Sequence, residues 1–115
     1  MQEEATSPDV LSAIGRIVRE EATRLGLEVE KVILFGSRAR GEARPDSDYD
    51  ILVIVRELPS WNKKKSFYSR VHKRLVSLLR RPVDLLVVES SWFRERSSIP
   101  VAFEAEVAEG VEIPL

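Results

Sequence analysis

Two apolar runs joined by a glycine-containing loop decide the fold: Val32-Ile33-Leu34-Phe35-Gly36-Ser37, then a polar segment, then Asp48-Tyr49-Asp50-Ile51-Leu52-Val53. The first run is rich in strand-forming residues and ends at Gly36, which predicts a strand that leads into a loop. A second strand is predicted over Tyr49 to Val55. Gly36 and Ser37 therefore stand where a strand ends and a short helix can begin.

Helical patterns flank these two strands. Before them, Ser7 and Pro8 are typical of an N-cap and a first helical position, and apolar residues recur at helical spacing up to Gly26. After them, Pro59 to Asn62 predicts a turn, and a long basic helix begins near Lys63. The apolar face of this helix consists of Phe67, Val71, Leu75, Leu78 and Leu79.

The C-terminal part adds a third strand and further elements after Pro82 ends the long helix. They are an apolar strand over Val83 to Val88, a short turn around Trp92 and Phe93 capped by Ser90 or Ser91, a helix over Ile99 to Ala108, and an edge strand at Val111 and Ile113. The third strand is of the type that is buried on both faces of a sheet. The order of elements predicts an α/β (α+β) fold with helices packed on a small mixed β-sheet.

Length and composition predict one domain over residues 1–115, because a second core would leave each half too small. The net charge of -1 provides no overall attraction to nucleic acid, so a nucleic-acid partner is not expected. The absence of cysteine excludes disulfides, thiolate metal ligands and cysteine nucleophiles. The longest apolar run, Ile51 to Val55, is too short to span a membrane, and a cytoplasmic location is expected.

The loop and the second strand carry groups suited to phosphate and metal binding. Backbone N–H groups at a strand end can hold phosphate oxygens, and Gly36 lets phosphates approach closely. Asp48 and Asp50 alternate with Tyr49, so both carboxylates are predicted on one face, roughly 6 to 7 Å apart at the backbone, with Tyr49 facing away. An oxygen-only set of ligands favours Mg²⁺ or Mn²⁺.

A third carboxylate, Asp84, stands at the start of the third predicted strand, within an otherwise apolar run. If this strand lies beside the one that carries Asp48 and Asp50, three carboxylates converge, and bound cations relieve their mutual repulsion. Two metal ions can then activate an attacking hydroxyl and stabilise a leaving pyrophosphate. The structural alternative is that Asp84 pairs with Arg80 or Arg81, and an isolated Asp-x-Asp is common in solvated turns.

The combination resembles the signature of the DNA polymerase beta-like nucleotidyltransferases, and the length and element order are similar to those of their minimal members. That signature is Gly-Ser, ten residues, then Asp-x-Asp, and here the ten residues from Arg38 to Ser47 separate Ser37 from Asp48. The resemblance implies the nucleotidyltransferase fold and a metal-dependent transfer of a nucleoside monophosphate, expected to be AMP from ATP, to a hydroxyl acceptor.

The resemblance also implies roles for individual residues. Asp48 and Asp50 would bind two Mg²⁺ or Mn²⁺ ions, and Asp84 would hold the catalytic ion and help to deprotonate the acceptor. The residues implied in nucleotide binding are Gly36, Ser37, Arg38, Arg40 and Ser47.

Few residues remain for an acceptor-binding domain, so a partner protein or a second copy is expected to complete the site. Many minimal nucleotidyltransferases are antitoxins that neutralise a helical HEPN-family ribonuclease toxin by binding it or by adenylylating a tyrosine, and the resemblance implies this role here. A small-molecule enzyme of the aminoglycoside-modifying type is the first alternative, although such enzymes usually carry an added helical domain. A non-catalytic module that binds a nucleotide or a partner is the second.

The remaining conspicuous residues have ordinary structural interpretations. The basic face of the long helix is expected to be solvated or paired with acids rather than bound to the triphosphate or to an acidic partner. It comprises Lys63, Lys64, Lys65, Arg70, Lys73, Arg74, Arg80 and Arg81. His72 is predicted at the surface or boundary rather than as a metal ligand. Trp61, Trp92 and Phe93 are predicted as core or boundary anchors rather than as a platform for base stacking.

Overall fold

The computed structural model describes residues 7–41, 44, 47–96 and 110–115, without the side chains of Arg40 and Arg96. Its elements are α1 (Pro8–Leu25), β1 (Val29–Phe35), α2 (Ser37–Arg40), β2 (Tyr49–Val55), α3 (Trp61–Leu79), β3 (Val83–Glu89), α4 (Ser90–Arg96) and β4 (Val111–Glu112). The predicted first helix, two strands, long helix and third strand are confirmed, whereas the segment around Trp92 and Phe93, predicted as a short turn, forms the helix α4. The predicted helix over Ile99 to Ala108 lies outside the described residues.

The helix ends follow local capping chemistry. The Oγ atom of Ser7 accepts a hydrogen bond from the Val10 N–H at 3.2 Å, and Gly26 closes α1 with a φ of 71°. α3 begins ahead of the predicted Lys63, because the Oγ atom of Ser60 accepts a hydrogen bond from the Lys63 N–H at 3.1 Å. Ser60 is therefore the N-cap, and Trp61 is the first helical residue.

The four strands form one mixed sheet in the order β3-β2-β1-β4. β1 is antiparallel to both β2 and β4, whereas β2 and β3 are parallel and are connected by α3. The predicted edge strand near the C-terminus is confirmed as β4. Within the parts of the chain that the structure describes, no helix is both long enough and apolar enough to cross a membrane.

The prediction that the third strand is buried on both faces is wrong. β3 has a single neighbour, β2, among the described strands, and its side chains alternate between buried and exposed. Val83 and Leu85 are buried, whereas Asp84 is exposed and Leu86 retains 41% of its accessible surface. Because β3 is the last strand of the sheet, the smaller cluster, which belongs to β1 and β2, reaches only Val88 on this face, whereas the larger core covers Val83, Leu85 and Val87 on the other.

The core is divided by the sheet. On one face, α1 and α3 bury the larger cluster, in which Ile14, Phe67, Val71 and Leu75 are fully inaccessible. On the other face, a smaller cluster is packed against Phe93 of α4 and Val88 of β3; it consists of Ile33, Phe35, Leu52 and Ile54. Leu78, predicted on the apolar face of α3, is 41% exposed.

A buried carboxylate, Glu21, joins α1 to α3. Its side chain is 1% exposed, and it accepts hydrogen bonds from Arg70 Nε at 2.7 Å and from Arg74 at 2.9 Å. Arg24 contributes a third cation at 3.4 Å. Burial acts to raise the pKa of Glu21, but the hydrogen bonds from Arg70 and Arg74, together with the positive charges of Arg70 and Arg24, outweigh it and hold the pKa below its ordinary value. Two members of the basic face are therefore paired with acids, as predicted.

We expect Glu21→Gln to lower the free energy of unfolding by about 2 kcal/mol near neutral pH, because two charge-assisted hydrogen bonds become neutral ones. A carboxyl group whose pKa is lowered by folding stabilises the native state above the pKa of the unfolded chain, about 4.3. That stabilisation is lost as the pH falls through the folded-state pKa. Urea unfolding at several pH values should therefore show the wild type and the variant converging below about pH 4.

The matched control for this experiment is Glu20→Gln. Glu20 lies next to Glu21 on α1, is 48% exposed, and pairs at the surface with Arg74 of α3 at 2.8 Å. Removal of its charge should change stability by less than about 1 kcal/mol. A wild-type advantage over Glu21→Gln that is the same at every pH would contradict the assignment to an ionised buried carboxylate.

Candidate active site

Most of the predicted site residues meet at one end of the sheet, where β1 ends and the parallel strands β2 and β3 begin. Asp50 lies beside Phe35 of β1 on one side and beside Asp84 of β3 on the other. Both acids belong to the face opposite α1 and α3, since their chain neighbours Tyr49 and Val83 are buried in the larger core. The expected adjacency of the two strands and the inward direction of Tyr49 are confirmed.

The three acids differ in position and exposure. Asp50 is half-buried within β2 and Asp84 is exposed within β3, whereas Asp48 is exposed and precedes the first residue of β2. In the described portion of the chain, no three Asp, Glu, His or Cys residues form a group that could hold a metal ion. The structure thus brings Asp50 and Asp84 into register but does not assemble a three-carboxylate cluster. The donors are all oxygens, which fits Mg²⁺ or Mn²⁺, and metal binding by the three acids stays a prediction.

Gly36 makes the closest approach to an acid in this site. Its φ of 74° and ψ of -156° lie in a region that is essentially restricted to glycine. A Cβ atom at this position would overlap the Asp50 carboxylate. The turn from β1 into α2 therefore passes directly against Asp50, and Ser37, the partly buried first residue of α2, follows it. Glycine at position 36 is required by both conformation and space.

Arg38 makes internal contacts that hold the loop in front of β2. Its side chain is 8% exposed, its guanidinium lies 4.1 Å from the centre of the Tyr49 ring, and one terminal nitrogen donates to the Ser47 carbonyl at 2.7 Å. The sequence alone gave no signal for this contact, because it depends on how the polar loop returns to β2. These contacts place Arg38 beside Ser47 and against the ring of Tyr49, whose side chain lies on the face opposite that of Asp50, and there Arg38 positions the start of β2.

The other predicted nucleotide-binding residues lie around this loop. The Oγ atom of Ser47 accepts a hydrogen bond from the Arg44 N–H at 2.8 Å, and the Ser47 N–H donates to the Arg44 carbonyl at 3.0 Å. Arg40 is the last residue of α2, and its side chain lies outside the described part. Nucleotide contacts by Gly36, Ser37, Arg38, Arg40 and Ser47 stay predictions.

The aromatic and histidine predictions have mixed outcomes. Trp61 was predicted as an anchor but is 71% exposed, because it occupies the first turn of α3 beyond the cover of the sheet. Trp92 is 40% exposed, whereas Phe93 packs against the smaller cluster as predicted. The boundary position of His72 is confirmed: it is half-buried, its Nε2 atom lies 3.0 Å from the Val83 carbonyl, and its ring stacks on Tyr68.

Similarity to other proteins covers most of the chain. Residues 15–107 match the family model described as nucleotidyltransferase domain. The protein adenylyltransferase MntA of Thermococcus cleftensis is 40% identical over 81 residues, which cover 70% of this chain and 73% of that protein. MJ0141 of Methanocaldococcus jannaschii, a proposed protein adenylyltransferase, is 35% identical over 57 residues, or 50% of this chain and 58% of that relative. The match thus spans little more than half of the length of MJ0141.

Solved structures share the same architecture. The structure of a proposed minimal nucleotidyltransferase is 28% identical and superposes with a TM-score of 0.56, covering 96% of this chain and 97% of the other. A crystal structure of a toxin-antitoxin with AMP-PNP is 17% identical, with a TM-score of 0.54 over 86% of this chain and 71% of the other. The second likeness concerns the fold alone. Together with the observed sheet, the first one confirms the predicted fold class.

Proposed function

Because the chain belongs to the nucleotidyltransferase domain family, we propose that it transfers AMP from ATP to a hydroxyl group of a protein. The observation that carries this proposal is the register of Asp50 with Asp84, directly beside the glycine turn at Gly36. This arrangement offers carboxylates next to a backbone segment that phosphates can approach closely. The names of the two relatives, both protein adenylyltransferases by function or proposal, support AMP and a protein acceptor.

The residues of the candidate site have separate proposed roles in the transfer. Gly36 and Ser37 would contact the triphosphate, and Arg38 would hold the loop that precedes Asp48 and Asp50. The acceptor oxygen attacks the α-phosphorus, the bond to pyrophosphate breaks, and Asp84, which is exposed, is the group to which we assign the acceptor proton. Nothing in this reaction requires a covalent bond between the protein and AMP.

Divalent metal ions fit this donor set, since all three acids offer hard oxygen ligands. Asp48, Asp50 and Asp84 would hold two Mg²⁺ or Mn²⁺ ions. When bound, such ions supply charge neutralisation at the phosphates and lower the pKa of the attacking hydroxyl.

The finer proposal concerns the partner. The resemblance to the minimal nucleotidyltransferases supports an antitoxin whose acceptor is a tyrosine of a HEPN-family toxin. Two other functions compete with it: transfer to a small molecule of the aminoglycoside type, and binding of a nucleotide or partner without transfer.

The test is to incubate the protein with Mg²⁺ and α-labelled ATP in a lysate of its source organism. We expect label in one protein band, and we expect Asp84→Asn to reduce it by about 10²- to 10³-fold, because the acceptor loses its general base. The exposed Asp9 in the first turn of α1 provides a matched control, and Asp9→Asn should label as the wild type does.

Each other outcome identifies a competing function. Label in a small-molecule fraction would favour the aminoglycoside-type enzyme. A folded protein that binds ATP but transfers label from no nucleoside triphosphate would favour the non-catalytic module.

A further inference from the structure

Exposed apolar side chains are concentrated on the side of the molecule formed by α3, the edge strand β3 and α4. Four of the seven large apolar side chains that are exposed among the described residues line two grooves on this side: Trp61, Tyr68, Leu86 and Trp92, with exposed fractions of 71%, 37%, 41% and 40%. The other three are Leu78 of α3, Val111 and Leu115. We use the term β3-edge surface for these four residues together with Lys64 and Lys65. Solitary exposed apolar residues are ordinary, but contiguous ones on a soluble domain mark interaction sites.

Two grooves make this surface continuous. One, of about 360 Å³, runs along the second half of β3, between Lys64 of α3 and Trp92 of α4, with Leu86 in its wall. The other, of about 270 Å³, is enclosed by Trp61, Lys64, Lys65 and Tyr68. Lys64 lines both grooves, so a bound segment can occupy them together.

The positive charge of the β3-edge surface indicates which kind of segment it can bind. Lys64 and Lys65 stand among the aromatic rings, although the whole chain has a net charge of -1. The acid in the wall of the larger groove, Glu89, is half-buried, and its carboxylate accepts the Leu58 N–H at 2.8 Å. An acidic segment with apolar anchors complements this pattern. A symmetric second copy does not, because the acid that its own copy of this surface offers to the lysines, Glu89, already accepts the Leu58 N–H.

The surface leads to the candidate active site. Leu86 and Asp84 lie two residues apart on the same face of β3. The larger groove, which contains Leu86, therefore approaches Asp84, the acid in register with Asp50. Among the described strands β3 pairs with β2 alone, and an edge strand of this kind is a position where a bound segment can add a further strand. A nucleic acid has no strand to pair with this edge.

From these observations we propose that the β3-edge surface binds the acceptor protein through an acidic segment, anchored by apolar side chains, that runs along β3 toward Asp84. The identification of the bound protein as the acceptor rests on the proposed function. The surface itself is tested by binding, which does not depend on transfer.

The experiment measures the fluorescence anisotropy of a labelled random copolymer of glutamate and tyrosine with the full chain. We expect saturable binding to the wild type. Trp61→Ala should weaken it about tenfold, as is typical for an aromatic anchor, and Lys64→Glu with Lys65→Glu should weaken it by at least as much. Both changes lie at helix-surface positions, so folding should be retained. The control, Lys73→Glu, makes the same charge reversal at one exposed lysine of the same helix, outside the two grooves, and should bind as the wild type does.

Several results would contradict the proposal that the β3-edge surface binds an acidic segment. They are no saturable binding of the copolymer, an equal loss of binding in Lys73→Glu, or tighter binding of oligo(dT) or of phosphatidylglycerol vesicles than of the copolymer. In the lysate assay, Trp61→Ala should raise the KM for the labelled protein about tenfold without changing ATP binding. If Trp61→Ala labels the protein as the wild type does, the β3-edge surface is not the acceptor-binding site, but the proposed transfer of AMP to a protein is still supported. Copolymer binding that requires Trp61, without transfer to any protein, would support the surface and refute the function.

Discussion

Asp50→Asn is expected to reduce AMP transfer by about 10³-fold or more, the largest effect of any single substitution proposed for this chain. Asp50 occupies the central position of the site: it pairs in register with Asp84, and its carboxylate lies against the Gly36 turn. Asparagine keeps the size of the side chain but removes the negative charge on which cation and phosphate binding depends. The measurement is the initial rate of label transfer at saturating ATP and Mg²⁺.

Folding must be separated from catalysis in this comparison. Because the substitution is isosteric, the thermal unfolding midpoint of Asp50→Asn should stay close to that of the wild type. Asp9→Asn, which changes the same functional group far from the site, should leave the rate unaltered. A rate within a few-fold of the wild type would remove Asp50 from the proposed catalytic set.

The second large effect is expected for Gly36→Ala, which should lower both activity and stability. Alanine at the observed φ of 74° and ψ of -156° costs about 1 to 3 kcal/mol. The added Cβ atom would also overlap the Asp50 carboxylate, so the acid or the turn must move. Since misplacement of a catalytic group by about 1 Å can cost roughly 10²-fold, transfer should fall by at least that factor. Urea unfolding and label transfer measure the two losses on the same sample.

Gly41→Ala separates the backbone effect from the steric one. Gly41 closes α2 with a φ of 73°, but a Cβ atom there would meet nothing within 4 Å. It should lose about 1 kcal/mol of stability, the ordinary cost of the left-handed conformation, while keeping most of its activity. If both variants lost activity equally, the contact between Gly36 and Asp50 would not be the cause.

Much of the fold could be predicted because its elements are marked by local chemistry. Ser7 and Gly26 delimit α1 through capping, which requires no knowledge of the rest of the chain. The spacing from Gly-Ser to Asp-x-Asp carried the family resemblance, which implied a third acid on a later strand, and Asp84 lies in register with Asp50. Whether these groups bind metal and nucleotide is a matter for the experiments above.

The errors have a common physical origin in long-range pairing. The run from Leu85 to Val88 has the same composition whether its strand lies in the centre or at the edge of a sheet, and only the strand order places it at the edge. Trp61 was misplaced for a related reason. A tryptophan at the start of a helix is buried only if another element extends over that turn, and in this protein α3 begins beyond such cover.

The parallel pairing of β2 with β3 also affects the order in which the molecule can assemble. β1 and β2 are sequential and antiparallel, whereas the whole of α3 separates β2 from β3 along the chain. Closing a longer loop delays a contact, so the β1–β2 pair is expected to precede the β2–β3 pair during folding. Asp50 and Asp84 come together only when β3 pairs with β2. A partly folded chain in which β3 has not yet paired therefore holds Asp50 without Asp84 beside it, and the proposed transfer is expected only once the native topology is complete.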